Sequence, residues 1–195
     1  MIICDHNLDE EIFIIAEIGN NHEGNFQTAL ELVDAASTTG VNAVKFQTCI
    51  PEKFYAYSET TRIKNLKKFQ LSNDNLKKIK HFANSKGLIF FSTPLDLESA
   101  KFLNRLQDLF KISSGDNTFW SLIKEVSSYK KPTIISTGAS GFKELDRIYN
   151  YYEENNQLNN LIFLHCVSSY PVPNDQANLL MIKKLAEKYK NIKVG

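Results

Sequence analysis

Short apolar runs of strand type alternate with helical patterns along this chain, and each run ends in polar residues. The first run, at residues 13–18, leads into the Glu-, Asn-, His- and Gly-rich segment 17–25 and then into a helical pattern. Runs that are apolar nearly throughout are typical of parallel strands covered on both faces. Because no hairpin pattern separates these units, we predict an α/β fold with a parallel sheet and right-handed crossovers. The strand-type runs are residues 13–18, 43–48, 88–93, 109–113, 133–137 and 161–167, with another that starts at Ile192.

Apolar residues at a spacing of 3.6 predict helices between these runs. Asn25 is a candidate N-cap for the first helix, and Gly40 lies just past its end. Gly87 and Pro132 mark the ends of two later helices, because glycine and proline commonly stop or follow a helix. The later helices are expected at about residues 73–85, 97–106, 120–129, 142–154 and 179–189.

This strand–helix repeat fits either an open doubly wound sheet or most of a barrel. An open nucleotide-binding sheet is disfavoured because no G-x-G-x-x-G sequence follows the first strand. Polar residues end every strand, which favours a (β/α)8 TIM barrel, whose site is ringed by all the strand ends. A complete barrel needs about 250 residues, whereas this chain has 195. We therefore expect residues 1–195 to be an incomplete catalytic barrel, truncated within its seventh strand and without the last strand and two helices.

Composition argues against several classes of partner. The formal net charge is +1, so a concentrated basic surface for nucleic acid or membrane is not expected. No apolar run approaches the roughly 18 residues of a membrane helix, and the acidic N-terminus lacks a secretory signal, which predicts cytoplasmic residence. The Lys-rich stretch 64–80 is interpreted as the solvated face of a helix. Cys4, Cys49 and Cys166 are too scattered for a disulfide framework and are interpreted as buried free thiols.

Two lysines lie inside strand-type runs. Lys45 and Gln47 have the same parity in their run and so point to one face of the strand. That face is the barrel interior if Val44 and Phe46 face the helices. Lys111 follows the same pattern in a later run. An inward ammonium group near a barrel mouth is costly unless it is paired, so both lysines need a partner.

An anionic ligand would satisfy both lysines at once. Two ammonium groups about 4 Å apart repel by about 4 kcal/mol at an effective dielectric near 20. The alternative is that each lysine pairs with a carboxylate, such as Glu17 or Asp116, or extends into solvent. Hydroxyls and glycine-rich turns follow the same strands, and their exposed N–H groups suit a phosphate or a carboxylate. These segments are residues 92–93, 113–115, 136–138 and 168–169.

Two histidines are candidate metal ligands, although they do not form a spaced ligand motif. His165 lies in an apolar run, which is typical of a core histidine, and His22 could equally hold its turn by hydrogen bonds.

The motifs, taken together, resemble those of the sialic acid synthases, phosphoenolpyruvate-dependent enzymes that make N-acetylneuraminate and related nine-carbon acids. The matching segments occur in family order and extend over essentially the whole chain. They are 16–24 (AEIGNNHEG), 44–48 (VKFQT), 91–94 (FSTP), 111–116 (KISSGD), 136–138 (STG) and 165–171 (HCVSSYP).

The resemblance implies that phosphoenolpyruvate condenses with N-acetylmannosamine or a related 2-acetamido hexose, with phosphate leaving by C–O cleavage. It implies that Glu17, Gln47 and Tyr170 face the acceptor sugar, and that Glu17 or Asp116 moves protons. The family often has Glu where Asp116 stands, so the reach of that carboxylate differs by one methylene. The implied phosphoenolpyruvate contacts are Lys45, Thr93, Lys111, Ser114, Ser136 and Ser168.

A divalent ion, typically manganese or magnesium, is also implied, and it would polarise the sugar aldehyde as a Lewis acid. The family histidines that bind this ion fall after Gly195, so no metal ligand is expected within residues 1–195. The family's small C-terminal antifreeze-like domain, which reaches the partner subunit's site, falls there too, and a homodimer is implied for the full-length parent. We therefore expect the 195-residue chain to be inactive, or nearly so, by itself.

Two other functions remain open from the sequence. A Schiff-base aldolase could use Lys45 or Lys111, provided that one of them has a lowered pKa. A non-catalytic fragment that retains phosphate binding is the other. The acceptor sugar is open as well, since N-acetylmannosamine and the 2,4-diacetamido-6-deoxy hexoses that lead to legionaminic or pseudaminic acid all fit.

Overall fold

Parallel strands with their own helices make up each of the two units into which the chain divides. The computed structural model describes all 195 residues. One unit, Glu10–Asp108, is called the Lys45 unit; Met1–Asp9 and Leu109–Gly195 form the Lys111 unit. The strands are β1 (Ile2–Ile3), β2 (His6–Asn7), β3 (Ile15–Gly19), β4 (Ala43–Thr48), β5 (Ile89–Pro94), β6 (Phe110–Ile112), β7 (Thr133–Ser136), β8 (Leu161–Leu164) and β9 (Lys193–Val194). The α-helices are α1 (Phe26–Ser37), α2 (Pro51–Phe54), α3 (Thr60–Lys68), α4 (Asn73–Ser85), α5 (Leu97–Asn104), α6 (Trp120–Ser128), α7 (Phe142–Glu154) and α8 (Leu180–Lys188).

The Lys45 unit is built on the parallel sheet β3-β4-β5. The first four residues of the central strand β4 are buried, as expected for a parallel strand covered on both faces. The Phe46 ring lies 5.6 Å from that of Phe90 and 5.8 Å from that of His22, between ring centroids. The register sets Glu17 of β3 opposite Lys45 and Gln47 opposite Thr93 of β5, so the sheet itself brings these polar side chains together.

Side-chain caps fix where three helices of this unit begin. The Asn25 side chain accepts a hydrogen bond from the Thr28 amide at 3.1 Å, which confirms the predicted N-cap of α1. Ser72 and Asp96 cap α4 and α5 in the same way. Each cap satisfies a backbone N–H that has no partner within its own helix.

The turn before α1 requires a glycine. Gly24 has φ +80°, a conformation that residues with a Cβ rarely adopt. A Cβ at this position would also lie 2.0 Å from the carbonyl oxygen of Lys68, at the end of α3. Gly24 therefore lets the turn and α3 approach closely.

The Lys111 unit is built on the parallel sheet β6-β7-β8-β9, while β1 and β2 pair as a separate antiparallel ribbon. Lys111 of β6 lies opposite Ile134 of β7, which lies opposite Ile162 of β8. Large apolar side chains fill the core between the sheet and its helices. Among those that are fully buried are Phe110, Ile112, Leu122, Tyr152 and Phe163.

The predicted α/β organisation with parallel strands is confirmed. The helices α4 and α7 have the predicted bounds, and β4 matches its predicted run. The run predicted at 161–167 is wrong at its end, because β8 stops at Leu164. Cys166 therefore follows the strand and is half-buried, and of the three thiols only that of Cys49 is buried as predicted.

Several short elements were not predicted from the sequence. The ribbon β1–β2 has two residues in each strand, too few for a periodic pattern. The Lys-rich stretch 64–80 was interpreted as one helix, but it spans the end of α3 and the start of α4. α3 buries none of its side chains, which agrees with a solvated surface. No helix of the chain combines the length and apolar character needed to cross a membrane.

Candidate active site

Lys45 is buried and ion-paired in the Lys45 unit. Its side chain is 4% exposed, and its Nζ lies 2.8 Å from Oε2 of Glu17, whose side chain is 55% exposed. The same Nζ donates a hydrogen bond to Thr93 Oγ1 at 3.3 Å. A buried ammonium group is costly without a counter-charge, and Glu17 supplies one. This is the carboxylate pairing that the sequence left open as the alternative to an anionic ligand.

Gln47 lies beside this pair, at the exposed end of β4. The Nδ2 of Asn20 donates a hydrogen bond to Gln47 Oε1 at 3.0 Å, which orients the amide of Gln47. The Asn20 contact holds only the oxygen of that amide. Of the residues expected at the sugar, Glu17 and Gln47 therefore lie on neighbouring strands of one sheet.

His22 holds the turn that follows β3. Its Nδ1 accepts a hydrogen bond from the Gly24 amide at 3.0 Å, and the side chain is buried. Burial lowers the pKa of the imidazole, so the neutral form that can accept at Nδ1 is favoured. The geometry supports the turn-holding role that the sequence offered for His22.

Lys111 is the buried lysine of the second unit. Its side chain is 5% exposed, and its Nζ donates a short hydrogen bond to the hydroxyl of Ser136, which is 3% exposed at the end of β7. The Cys166 thiol donates to the same hydroxyl, with Sγ 3.3 Å from Ser136 Oγ. Lys111, Ser136 and Cys166 therefore form one hydrogen-bonded network.

Two further serines meet beside this network at Gly138. A Cβ at Gly138 would lie 2.6 Å from Ser114 Oγ and 2.9 Å from Ser168 Oγ. Any residue with a Cβ would therefore force both hydroxyls to shift from these positions. We call Lys111, Ser114, Ser136 and Ser168 the serine–lysine cluster; all four were expected to contact phosphoenolpyruvate.

Asn117, which was not predicted from the sequence, supports the backbone beside this cluster. Its buried Nδ2 donates to the carbonyl oxygen of Ser136 at 3.1 Å and to that of Gly138 at 3.0 Å. The two bonds fix the turn after β7. Its position directly after the KISSGD motif was the only signal in the sequence.

Asp116 belongs to the same unit. The Ser113 hydroxyl donates a short hydrogen bond to Asp116 Oδ2. Burial nevertheless raises the pKa of the Asp116 carboxyl above its usual range, and the Ser113 bond opposes this shift. A carboxyl group that keeps its proton at higher pH is better suited to act as an acid as well as a base.

The Lys111 unit also contains a cavity beside the end of β8. This cavity has a volume of about 420 Å³, and its walls include Phe142, His165, Cys166 and Ser168. His165 Nε2 lies 2.9 Å from the carbonyl oxygen of Ala177. Tyr170 is fully exposed, and its phenol is not gathered with the serine–lysine cluster by any contact of the structure.

The family resemblance implies a divalent ion, whose ligands were expected to fall after Gly195. The described residues, 1–195, contain no group of three His, Cys, Asp or Glu side chains placed to hold a metal ion. The residues of this chain therefore do not by themselves fit a metal site.

Comparison with known proteins identifies the family of the chain. Residues 32–195 match the NeuB family. The N,N'-diacetyllegionaminic acid synthase of Legionella pneumophila is 36% identical over 195 residues, which cover 91% of this chain and 54% of that protein. The pseudaminic acid synthase of Campylobacter jejuni serotype O:2 is 33% identical over an alignment 209 residues long. That alignment covers 100% of this chain and 60% of that protein.

A solved structure gives the same result. The crystal structure of N-acetylneuraminic acid synthetase from Leptospira borgpetersenii, in complex with citrate, aligns with a TM-score of 0.89 at 29% identity. The alignment covers 94% of this chain and 64% of that one. The chain spans 54% to 60% of the length of the two synthases compared above. The resemblance inferred from the motifs is confirmed: this chain belongs to the NeuB family of sialic acid synthases.

Proposed function

We propose that this protein takes part in condensing phosphoenolpyruvate with an acetamido hexose to give a nonulosonic acid and phosphate. The observation that carries the proposal is the serine–lysine cluster, where a buried ammonium group and serine hydroxyls meet at the ends of parallel strands. Lysines and hydroxyls that donate toward one point suit an anionic phosphate ester. The proteins compared above are named as synthases of pseudaminic acid, N,N'-diacetyllegionaminic acid and N-acetylneuraminic acid.

The (β/α)8 barrel is part of this proposal. It is supported by the parallel strand–helix units of each sheet and by the similarity to the synthetase of Leptospira borgpetersenii. In such barrels the reacting groups come from residues at the carboxyl ends of the strands. Lys45, Thr93, Lys111 and Ser136 all lie in strands of the two parallel sheets.

The serine–lysine cluster is assigned to the anionic substrate. Its charge and hydroxyls would bind the phosphate group and stabilise the negative charge that develops on it as the C–O bond breaks. Preformed donors of this kind act mainly on the transition state when they are fixed before the substrate arrives. Lys45 and Thr93 remain in the proposal as further contacts to phosphoenolpyruvate.

Two carboxylates are assigned to proton transfer. Glu17 is half-exposed and bonded to Lys45, so it can reach solvent or a sugar hydroxyl. Asp116 has a raised pKa because it is partly buried, so it can hold a proton that the reaction needs.

Gln47 and Tyr170 are proposed sugar contacts. A metal ion of the kind the family resemblance implies finds no group of three candidate ligands within residues 1–195, so no step is assigned to it.

The acceptor is proposed as a class of sugar. The curated relatives are named for N,N'-diacetyllegionaminic acid, pseudaminic acid and N-acetylneuraminate 9-phosphate. Their identities to this chain, 36%, 33% and 29%, are too similar to favour one product. The acceptor is therefore assigned as an acetamido hexose.

Calorimetric titration with phosphoenolpyruvate tests the proposal directly. The 195-residue chain is expected to bind phosphoenolpyruvate saturably, and Lys111→Met is expected to weaken binding at least tenfold, since a hydrogen bond to a charged group contributes roughly 1.5–3 kcal/mol. Lys143→Met, at an exposed position of α7, is the control because it removes the same charge from the same unit.

The outcome that overturns the proposal is a cooperatively folded chain that does not bind phosphoenolpyruvate. If Lys111→Met and Lys143→Met weaken phosphoenolpyruvate binding equally, the serine–lysine cluster is not the binding site, because only the overall charge of the protein would then matter.

A further inference from the structure

The hydroxyl of Ser136 lies between two donors. The ammonium of Lys111 donates to Ser136 Oγ, and the thiol of Cys166 donates to the same oxygen with Sγ at 3.3 Å. Ser136 is 3% exposed, so little water competes for the hydrogen bonds of this residue. Its hydrogen bonds are therefore set by the protein.

The bonding capacity of a hydroxyl limits what Ser136 can do next. A serine oxygen has two acceptor positions and one proton to donate. Lys111 and Cys166 together occupy both acceptor positions, because each of them is a donor here. The proton of Ser136 is then the one group left to point toward a third partner, and that partner must be an acceptor.

We propose that Cys166 is a positioning residue that makes Ser136 a fixed hydrogen-bond donor to the phosphate of phosphoenolpyruvate. Without the thiol, the Ser136 hydroxyl could rotate and would not be committed to donating. The inference rests on the proposed function, because it gives the site an anionic substrate. Cys166 acts through Ser136 and need not touch the substrate itself.

Backbone and side-chain contacts of the preceding residue hold Cys166 in place. The His165 amide donates to the carbonyl oxygen of Gly195 at 2.7 Å, and His165 Nε2 lies 2.9 Å from the carbonyl oxygen of Ala177. The segment is thus fixed from two sides directly after β8. A thiol held by its backbone can keep one direction, which a positioning role requires.

The thiol is also within reach of reagents. Cys166 is half-buried and lines the cavity of about 420 Å³, whereas Cys49 is buried and its pKa is raised to about 12 by that burial. A thiol reagent needs the thiolate and access, so Cys49 should resist modification in the folded chain. Cys4 is half-buried, and replacing it by serine leaves Cys166 as the accessible thiol.

A double-mutant cycle on phosphoenolpyruvate affinity tests the inference. Cys166→Ala is expected to weaken binding roughly fivefold, the size of one ordinary hydrogen bond. In a Ser136→Ala background the same change should have no further effect, because the residue through which the thiol acts is gone. Cys166→Ser should restore affinity to within about twofold, since a serine hydroxyl also donates. Cys4→Ala is the control and should leave the affinity unchanged.

Alkylation gives a second readout that a purely structural role would not move. In the Cys4→Ser chain, iodoacetamide forms an S–C bond at Cys166, expels iodide and releases the thiol proton, so the thioether can no longer donate. Phosphoenolpyruvate should slow this reaction, and the alkylated chain should lose affinity as Cys166→Ala does. Thermal unfolding of each variant shows that the compared chains are folded.

The possible results separate the two proposals. If the unaltered chain does not bind phosphoenolpyruvate, the proposed function fails and this inference with it. If the chain binds phosphoenolpyruvate but Cys166→Ala weakens binding equally with and without Ser136, or not at all, the positioning role is wrong and the proposed function stands.

Discussion

The two buried lysines of this protein are held in different ways, one in each unit. Lys45 is bonded to the Glu17 carboxylate at 2.8 Å and to a threonine hydroxyl. Lys111 donates a hydrogen bond to the Ser136 hydroxyl, which also accepts a hydrogen bond from the Cys166 thiol. A carboxylate partner neutralises the ammonium group and competes with an anionic ligand. A hydroxyl partner is neutral and can itself donate a hydrogen bond to the ligand. If phosphoenolpyruvate binds as proposed, the Glu17 carboxylate must give way at Lys45, whereas the Ser136 hydroxyl can stay beside Lys111.

The largest effect should come from filling the space beside the serine–lysine cluster. Gly138→Ala would place a Cβ 2.6 Å from Ser114 Oγ and 3.1 Å from Ser114 Cβ. Because a serine side chain is short, it cannot move away without losing its position. We expect phosphoenolpyruvate affinity to fall tenfold or more and the free energy of unfolding to fall by about 1–3 kcal/mol, as for other overpacked sites. Calorimetric titration and thermal unfolding measure the two effects.

Gly115→Ala is the matched control for this change. Gly115 follows Ser114, and a Cβ there would meet no atom within 4 Å. Its affinity and stability should stay close to those of the unaltered chain. If Gly138→Ala binds as tightly as Gly115→Ala, the convergence of Ser114 and Ser168 has no part in binding.

Removing the partner of each lysine should change phosphoenolpyruvate affinity in opposite directions. Ser136→Ala deletes a donor from the serine–lysine cluster and should weaken binding roughly fivefold. Glu17→Gln removes the negative charge that competes for Lys45 and should strengthen binding by a few-fold, while abolishing any turnover that uses Glu17 as an acid or base. Titrations at constant salt compare the two variants.

Glu98→Gln is the control for Glu17→Gln, because Glu98 has the same 55% side-chain exposure and is ion-paired to Lys53. It should leave the affinity unchanged. Weaker binding by both Glu17→Gln and Ser136→Ala would contradict the contrast, since the two lysines would then depend on their partners in the same way.

The sequence predicted which strand face carries Lys45, but it did not decide between a carboxylate and an anionic ligand as the partner of that lysine. The alternation within 44–48 correctly placed Lys45 and Gln47 on one face of β4. Which group Lys45 meets depends on the order and register of the strands. Glu17 lies 28 positions earlier in the sequence and opposite Lys45 only because β3 pairs with β4 in this register. No local pattern carries that information.

The limits of the helix and strand predictions have a similar cause. Helices α4 and α7 were placed correctly because each has 13 residues and a strong apolar stripe. β8 was predicted too long because 161–167 is apolar almost throughout, yet its ladder stops at Leu164. Cys166 consequently lies beyond the strand, where its thiol reaches Ser136. The expectation of a buried free thiol at Cys166 was wrong for the same reason.

The change Asp116→Asn should have the smallest effect, and it acts on the stability of the folded chain. Burial raises the pKa of Asp116 above the ordinary value of 3.8, so the folded chain binds this proton more tightly than the unfolded chain. Stability is then highest below the unfolded pKa and falls as the pH rises through the folded pKa. Asp116→Asn removes the buried charge, and we expect a gain in Tm at pH 7 of at most about 2–4 °C, the shift that 1 kcal/mol gives in a chain of this size.

The pH dependence of that gain is the informative part. It should shrink as the pH is lowered and vanish well below pH 3.8, where the carboxyl group is protonated in both the folded and the unfolded chain. Asp175→Asn, at an exposed position, is the control and should show no such trend. A loss of stability in Asp116→Asn at pH 7 would mean that the bond from Ser113 outweighs the cost of burial. Asp116 would then lose its distinct role as the acid of the pair.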